Sequence, residues 1–126
     1  MCIRDRVQPK RQEIEVVLAG EQPAKGAIQP ELSGTGARVV ATATPDQTFA
    51  LAASAARNVG VVVVDVDAYG VGFVSDLRTV FPSLRLIAIA REPATRALAV
   101  RAGAVLALPR NTPARQLAKA IAAITR

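Results

Sequence analysis

Val61-Val62-Val63-Val64-Asp65-Val66-Asp67-Ala68-Tyr69-Gly70 is the stretch on which the fold turns. Four consecutive valines leave no polar residue to face water, so a strand built from them is buried on both sides. β-Branched side chains favour extended backbone, and a strand covered on both faces belongs to a parallel sheet with helices above and below. The spacing predicts a strand over 60–66. It delivers Asp65, with Asp67 just beyond, at its carboxyl end.

Working outward, the same alternation of elements repeats. The run 14–19 is apolar and β-branched with one charge, Glu15, and stops at Gly20-Glu21. A helix is expected over 23–32, where Ile28 and Leu32 share a face although Gly26 and Pro30 disfavour helix. Ser33-Gly34-Thr35-Gly36 breaks the chain, and 38–43 reads as the second strand. Thr44 is a helix cap, Pro45 suits the first helical position and Gln47 completes a capping box. Phe49, Ala52, Ala53 and Ala56 then recur at helical spacing. Beyond Gly70 a helix is expected over 72–81, with Val74, Leu77 and Phe81 inward and Pro82 as its stop. A strand over 84–90 and a helix over 93–102 follow, the helix closed by Gly103. The last strand is expected over 104–108. Thr112-Pro113 opens a final helix whose buried side is Leu117, Ala120, Ile121 and Ile124. Five strand–helix repeats indicate an α/β fold, a doubly wound five-stranded parallel sheet of order 2-1-3-4-5.

Composition narrows the function. The 126 residues suit one domain, and half of them are apolar. No apolar run approaches the roughly 18 residues of a membrane span, and no secretory leader is evident. Residues 1–6 read as the translation of a transposon end used in sequencing libraries. They are therefore expected to be a library scar, and 1–12 a disordered lead-in, so that the domain is 13–126 and the native start is missing. Cys2, the only cysteine, lies in that stretch, and there is no histidine. Thiol chemistry, His-based triads and ordinary zinc sites are thus excluded. The net charge of +6 is half carried by residues 1–12, leaving too little to argue for nucleic acid.

In open α/β sheets, ligands bind at the carboxyl ends of the strands where the strand order reverses. For the order 2-1-3-4-5 that point lies between the first and third strands, which end at Glu21 and Asp65. Two carboxylates and a phosphate oxygen suit Mg²⁺, and a carboxylate beside Mg²⁺ can attack a phosphoryl group. From the residues alone, Asp65 is either such a ligand or a solvated residue ending a hydrophobic strand.

The segment 61–70 resembles the phosphoacceptor segment of bacterial response-regulator receiver domains. Arg101-Ala102-Gly103-Ala104 and Leu108-Pro109-Arg110-Asn111-Thr112-Pro113 resemble that family's last third. The resemblance spans 14–126 and implies a flavodoxin-like signalling domain that is cytoplasmic, bacterial and not an enzyme. It implies that Asp65 is the phosphoacceptor and that Glu21 and Asp65 hold Mg²⁺. A histidine kinase or phosphotransfer protein would supply the phosphoryl group. Asp67 matches a position that contributes only its backbone carbonyl. There are also departures. Gly20 replaces the first acid of the metal pair. Ala90 replaces the hydroxyl residue and Arg110 the lysine that contact the phosphoryl group, and Ala107 replaces an aromatic. The resemblance then implies a weakened Mg²⁺ site and poor coupling of phosphorylation to conformation. The alternative is a degenerate receiver, acting only as a protein-interaction module. A third reading, an unrelated small α/β enzyme, is weakened by the lack of His and Cys.

Gly70-Val71-Gly72 lacks the third glycine of a dinucleotide fingerprint and fits turn chemistry better. Arg91, Arg96, Arg101, Arg115 and Lys119 form a basic strip or a solvated face. In receivers the helix over 93–102, the last strand and the last helix carry effector or self-association contacts. Nothing resembles a helix-turn-helix, so no direct contact with nucleic acid is expected, nor with membrane.

Overall fold

The computed structural model describes residues 14–20, 37–42, 44–56 and 59–125. Residues 1–12, Glu21, the helix expected over 23–32 and the loop 33–36 lie outside the described residues. The described chain forms β1 (Ile14–Ala19), β2 (Ala37–Thr42), α1 (Pro45–Ala56), β3 (Val59–Asp65), α2 (Val66–Tyr69), α3 (Val71–Val80), β4 (Arg85–Ala90), α4 (Pro93–Ala102), β5 (Leu106–Pro109) and α5 (Ala114–Thr125). The strands make one five-stranded sheet of order β2-β1-β3-β4-β5, with every neighbouring pair parallel. The topology expected from strand–helix alternation is therefore present.

The valine run explains the layering. Successive side chains of a strand point to opposite faces, and β3 uses both. Val62 and Val64 join Val17, Ala52, Ala55, Val74, Leu77, Leu86 and Ala99 on one side of the sheet. Val61 and Val63 join Val16, Leu18, Ile87, Leu117 and Ile121 on the other. Helices α1, α3 and α4 cover the first face and α5 covers the second. Aromatic packing is confined to the first, where the ring of Phe73 meets those of Phe49 and Tyr69 edge-on at 5.5 and 5.1 Å.

Several local details differ from the sequence reading. The α1 face that turns inward is Thr48, Ala52 and Ala55, while Phe49 and Ala53 are only half-buried. The shift has a polar cause. Thr48 Oγ1 donates to the carbonyl of Thr44 at 3.1 Å and lies 2.7 Å from Thr42 Oγ1, which fixes the helix rotation against β2. Thr44 does cap α1, accepting from the amide of Gln47 at 3.2 Å. The single helix expected over 72–81 is preceded by a separate turn, α2, which Gly70 ends with φ +91, its backbone N–H donating to the Val66 carbonyl at 2.8 Å. Phe73 is buried on α3 alongside Val74 and Leu77. Phe81 falls just past that helix and is half-buried. The last strand starts two residues later than expected, and Val105 is exposed. No helix among the described residues is long and apolar enough to cross a membrane.

Candidate functional site

The sheet register assembles the site. Ala19 of β1 is level with Val64 of β3, so the next residues, Gly20 and Asp65, meet at the carboxyl edge. Asp65 also stands level with Ile89 of β4. Arg110 follows β5 directly and reaches back across the strand ends. Asp65, Asp67, Ala68, Arg91, Glu92 and Arg110 line a cleft of about 450 Å³ at this edge.

Asp65 is not a solvated turn residue. Its side chain is 1% exposed, and Arg110 Nη1 donates to its Oδ1 at 2.6 Å. The same nitrogen lies 3.5 Å from Oδ2 of Asp67. Asp67 Oδ2 also accepts from the backbone amide of Arg91 at 3.0 Å, tying the turn after β3 to the end of β4. The hydrogen bond to Asp65 is the main cause that holds the Arg110 guanidinium above its ordinary pKa, so it stays a cation at any working pH. The second Asp65 oxygen, Oδ2, is buried and has no hydrogen-bond partner among the described residues. Asp65 precedes α2 yet makes no side-chain cap with it. Its charge is answered by Arg110 instead.

Gly20 explains why Asp65 fits so deeply. Its φ is +94, and a Cβ there would lie 2.7 Å from the Asp65 Cβ. Glycine alone tolerates both the backbone and the approach. An acid at position 20 is incompatible with this arrangement. Ala90 is buried at the end of β4, and neither it nor its neighbours Ala88 and Ile89 carries a hydroxyl. The carbonyls of Ala90 and Arg91 are instead bound by Arg96 Nη1 at 2.9 and 3.0 Å. Arg96 is thus committed to closing the end of β4, which removes it from any free basic strip.

Of the residues singled out in the sequence, Asp65, Ala90 and Arg110 come together at one edge, and Glu21 lies outside the described residues. Among the described residues no group of three or more acids, histidines or cysteines is gathered in a metal-binding arrangement. Among the described residues the acids lining this cleft are Asp65, Asp67 and Glu92, and Arg110 spans the first two. With the guanidinium bridging them, these described carboxylates do not fit Mg²⁺. The Asp67 side chain was missed by sequence reading because the resemblance to receiver domains gives its position only a backbone carbonyl. Its place two residues after Asp65, across from Arg110, was the available clue.

No family model and no curated protein matches the sequence. Solved structures do match. A response regulator from Thermotoga maritima superposes with a TM-score of 0.75 at 18% identity, covering 91% of this chain and 98% of that one. The receiver domain of the putative response regulator NarL from Mycobacterium tuberculosis gives 0.73 at 18% identity, with the same 91% and 98% coverage. A LuxR family DNA-binding response regulator from Silicibacter pomeroyi gives 0.69 at 25% identity, covering 88% and 91%. The chain has the fold of response-regulator receiver domains.

Proposed function

We propose that this chain is a receiver-fold signalling module that works through protein contacts and does not depend on phosphorylation of Asp65. One observation carries the reading: the Asp65 carboxylate is 1% exposed and held by Arg110 at 2.6 Å. Phosphoryl transfer to a carboxylate rests on positioning and on charge stabilisation around the transferred oxygens. Here Oδ1 is already engaged and Oδ2 is closed off from solvent. No hydroxyl at the end of β4 waits for the phosphoryl oxygens, which forfeits a charged hydrogen bond worth about 1.5–3 kcal/mol. The contact surface we favour is the α4–β5–α5 face. Helix α4 buries only Ala99, and Leu98, Val100 and the nearby Val105 are each about half exposed. An effector or ATPase partner domain, linked or separate, is the expected occupant, and the domain itself makes no contact with DNA.

The test is incubation of the native chain with acetyl phosphate and Mg²⁺, read by intact mass. The expected spectrum is that of the unmodified chain. A stoichiometric gain of one phosphoryl group, absent from Asp65→Asn, would refute the reading.

A second reading has one observation in its favour. The partnerless Oδ2 of Asp65 is a buried lone-pair donor beside a fixed cation. On that reading Asp65 accepts a phosphoryl group from a histidine kinase or phosphotransfer protein, and Arg110 swings from Asp65 Oδ1 to the phosphoryl oxygens. The same mass measurement separates the two.

A further inference from the structure

We propose that Arg110 is a built-in counter-ion standing where a divalent cation would otherwise bind, so that the native chain rejects Mg²⁺ and removal of that one guanidinium creates a Mg²⁺ site. The inference rests on the reading of Asp65 as a locked carboxylate and extends it to the neighbouring Asp67.

The geometry is that of a bridging cation. A single nitrogen, Nη1, reaches Asp65 Oδ1 at 2.6 Å and Asp67 Oδ2 at 3.5 Å. Asp67 is held in place independently by the Arg91 amide, and Asp65 is fixed at the end of β3 by the sheet register, so both residues stay at this edge without Arg110. With Arg110 the three groups carry a net charge of −1, and without it −2, which matches a divalent ion. The guanidinium cannot leave by losing its proton, because arginine stays protonated in proteins. It also occupies the Asp65 lone pair that a metal would need.

The buried, partnerless Oδ2 of Asp65 is the independent sign that the carboxylate is under-satisfied. A single donor serves a group that can accept about four hydrogen bonds. Mg²⁺ takes oxygen ligands, keeps several waters and commonly uses only one or two carboxylates. Asp65 and Asp67 would therefore suffice once their present cation is gone. Gly20 adds no ligand, and its backbone forbids one in this arrangement.

The experiment is an amide NMR titration with MgCl₂ at constant ionic strength on the native chain, Arg110→Met and Arg110→Gln, each first checked for folding by circular dichroism. The amides of Gly20, Asp65, Asp67 and Arg91 report on the site. The native chain should show no saturable shift, whereas both variants should show saturable shifts at these amides. Their affinity should exceed the native chain's by on the order of tenfold or more, from relief of charge competition. Adding Asp65→Asn to Arg110→Met should abolish the effect. Glutamine keeps a donor for Asp65 Oδ1, so Arg110→Gln preserves the test if methionine impairs folding. Saturable binding by the native chain with an affinity near that of the variants overturns the proposal, as does a folded variant that binds nothing. A native chain that binds Mg²⁺ yet gains no phosphoryl group from acetyl phosphate sinks this inference alone. A native chain that is phosphorylated sinks the proposed function.

Discussion

Cutting the Asp65–Arg110 pair from its two ends should give unequal costs. Asp65 is 1% exposed at the side chain and Arg110 28%. Arg110→Met leaves a carboxylate in the interior with both oxygens unpartnered, since Oδ2 has no partner to begin with. At an effective dielectric of 20, unit charges about 4 Å apart attract by roughly 4 kcal/mol. Partial exposure of the guanidinium reduces that figure, and removing one partner of a buried pair typically costs about 3–5 kcal/mol. A loss of about 3 kcal/mol is therefore expected for Arg110→Met. Asp65→Asn instead leaves the cation uncompensated, but Arg110 is already partly in water and has Asp67 at 3.5 Å. Its cost should be about 1 kcal/mol or less, because a partly solvated cation needs little help. The double variant should lie close to Asp65→Asn alone, so the double-mutant cycle should return a coupling of about 2–3 kcal/mol. Urea unfolding at pH 7 measures all four proteins. For a domain this size, 3 kcal/mol also corresponds to a drop in Tm of roughly 10–15 °C. Equal costs for the two single variants, or a coupling below about 0.5 kcal/mol, would refute the idea that Asp65 is buried because Arg110 neutralises it.

Gly20→Ala should destabilise by about 2–4 kcal/mol in the same assay, since it combines strain at φ +94 with a 2.7 Å approach to the Asp65 Cβ. A neutral result would mean that the β1 end is not placed as described. Thr48→Val removes the partner of the buried Thr42 hydroxyl, which keeps only a long 3.5 Å contact to the Leu18 carbonyl. It should cost about 1–2 kcal/mol, and the Thr42→Val, Thr48→Val double variant should recover part of that loss. Leu77→Ala empties a fully buried site on α3 and should cost about 3–5 kcal/mol in urea unfolding; a cost under 1 kcal/mol would place Leu77 outside the core.

What could be read from the sequence follows its periodicities. The uninterrupted valines of β3 demanded burial on both faces, and that demand led to a parallel sheet with a crevice at its carboxyl edge. Elements announced by Thr44-Pro45, Pro82 and Gly103 fell near their expected ends. What could not be read was set by contacts distant in sequence. The rotation of α1 depends on Thr42 meeting Thr48, a hydroxyl pair that no helical period encodes. Phe49, Ala52, Ala53 and Ala56 satisfy the spacing of one face, yet the polar pair turns Thr48, Ala52 and Ala55 inward. Asp67 and Arg96 were likewise invisible as structural residues. Each bonds the end of β4, Asp67 from 24 residues before its partner and Arg96 through two backbone carbonyls. An acidic or basic residue near the end of a strand reads as solvated until its backbone partner is known.

The departures at the site are best understood together. Gly20 in place of an acid removes one negative charge from the β1 end and opens the space into which the Asp65 side chain packs. With that charge absent, Asp65 and Asp67 need less than a divalent cation to be balanced. Arg110 supplies one positive charge through a single nitrogen that reaches both. A lysine would offer a compact ammonium on a flexible stem; arginine offers a planar, permanently charged group suited to carboxylates. Once the cation is covalently part of the chain, a phosphoryl group arriving at Asp65 would have to displace it, and the alanines of β4 offer no hydrogen bond in return. A population shift needs an added group to interact differently with two states. On the proposed reading Gly20, Ala90 and Arg110 each reduce that difference, and Arg110 already answers one Asp65 oxygen in the unmodified state. On the proposed reading the three positions therefore act in one direction, favouring a fixed ion pair that links the ends of β3 and β5.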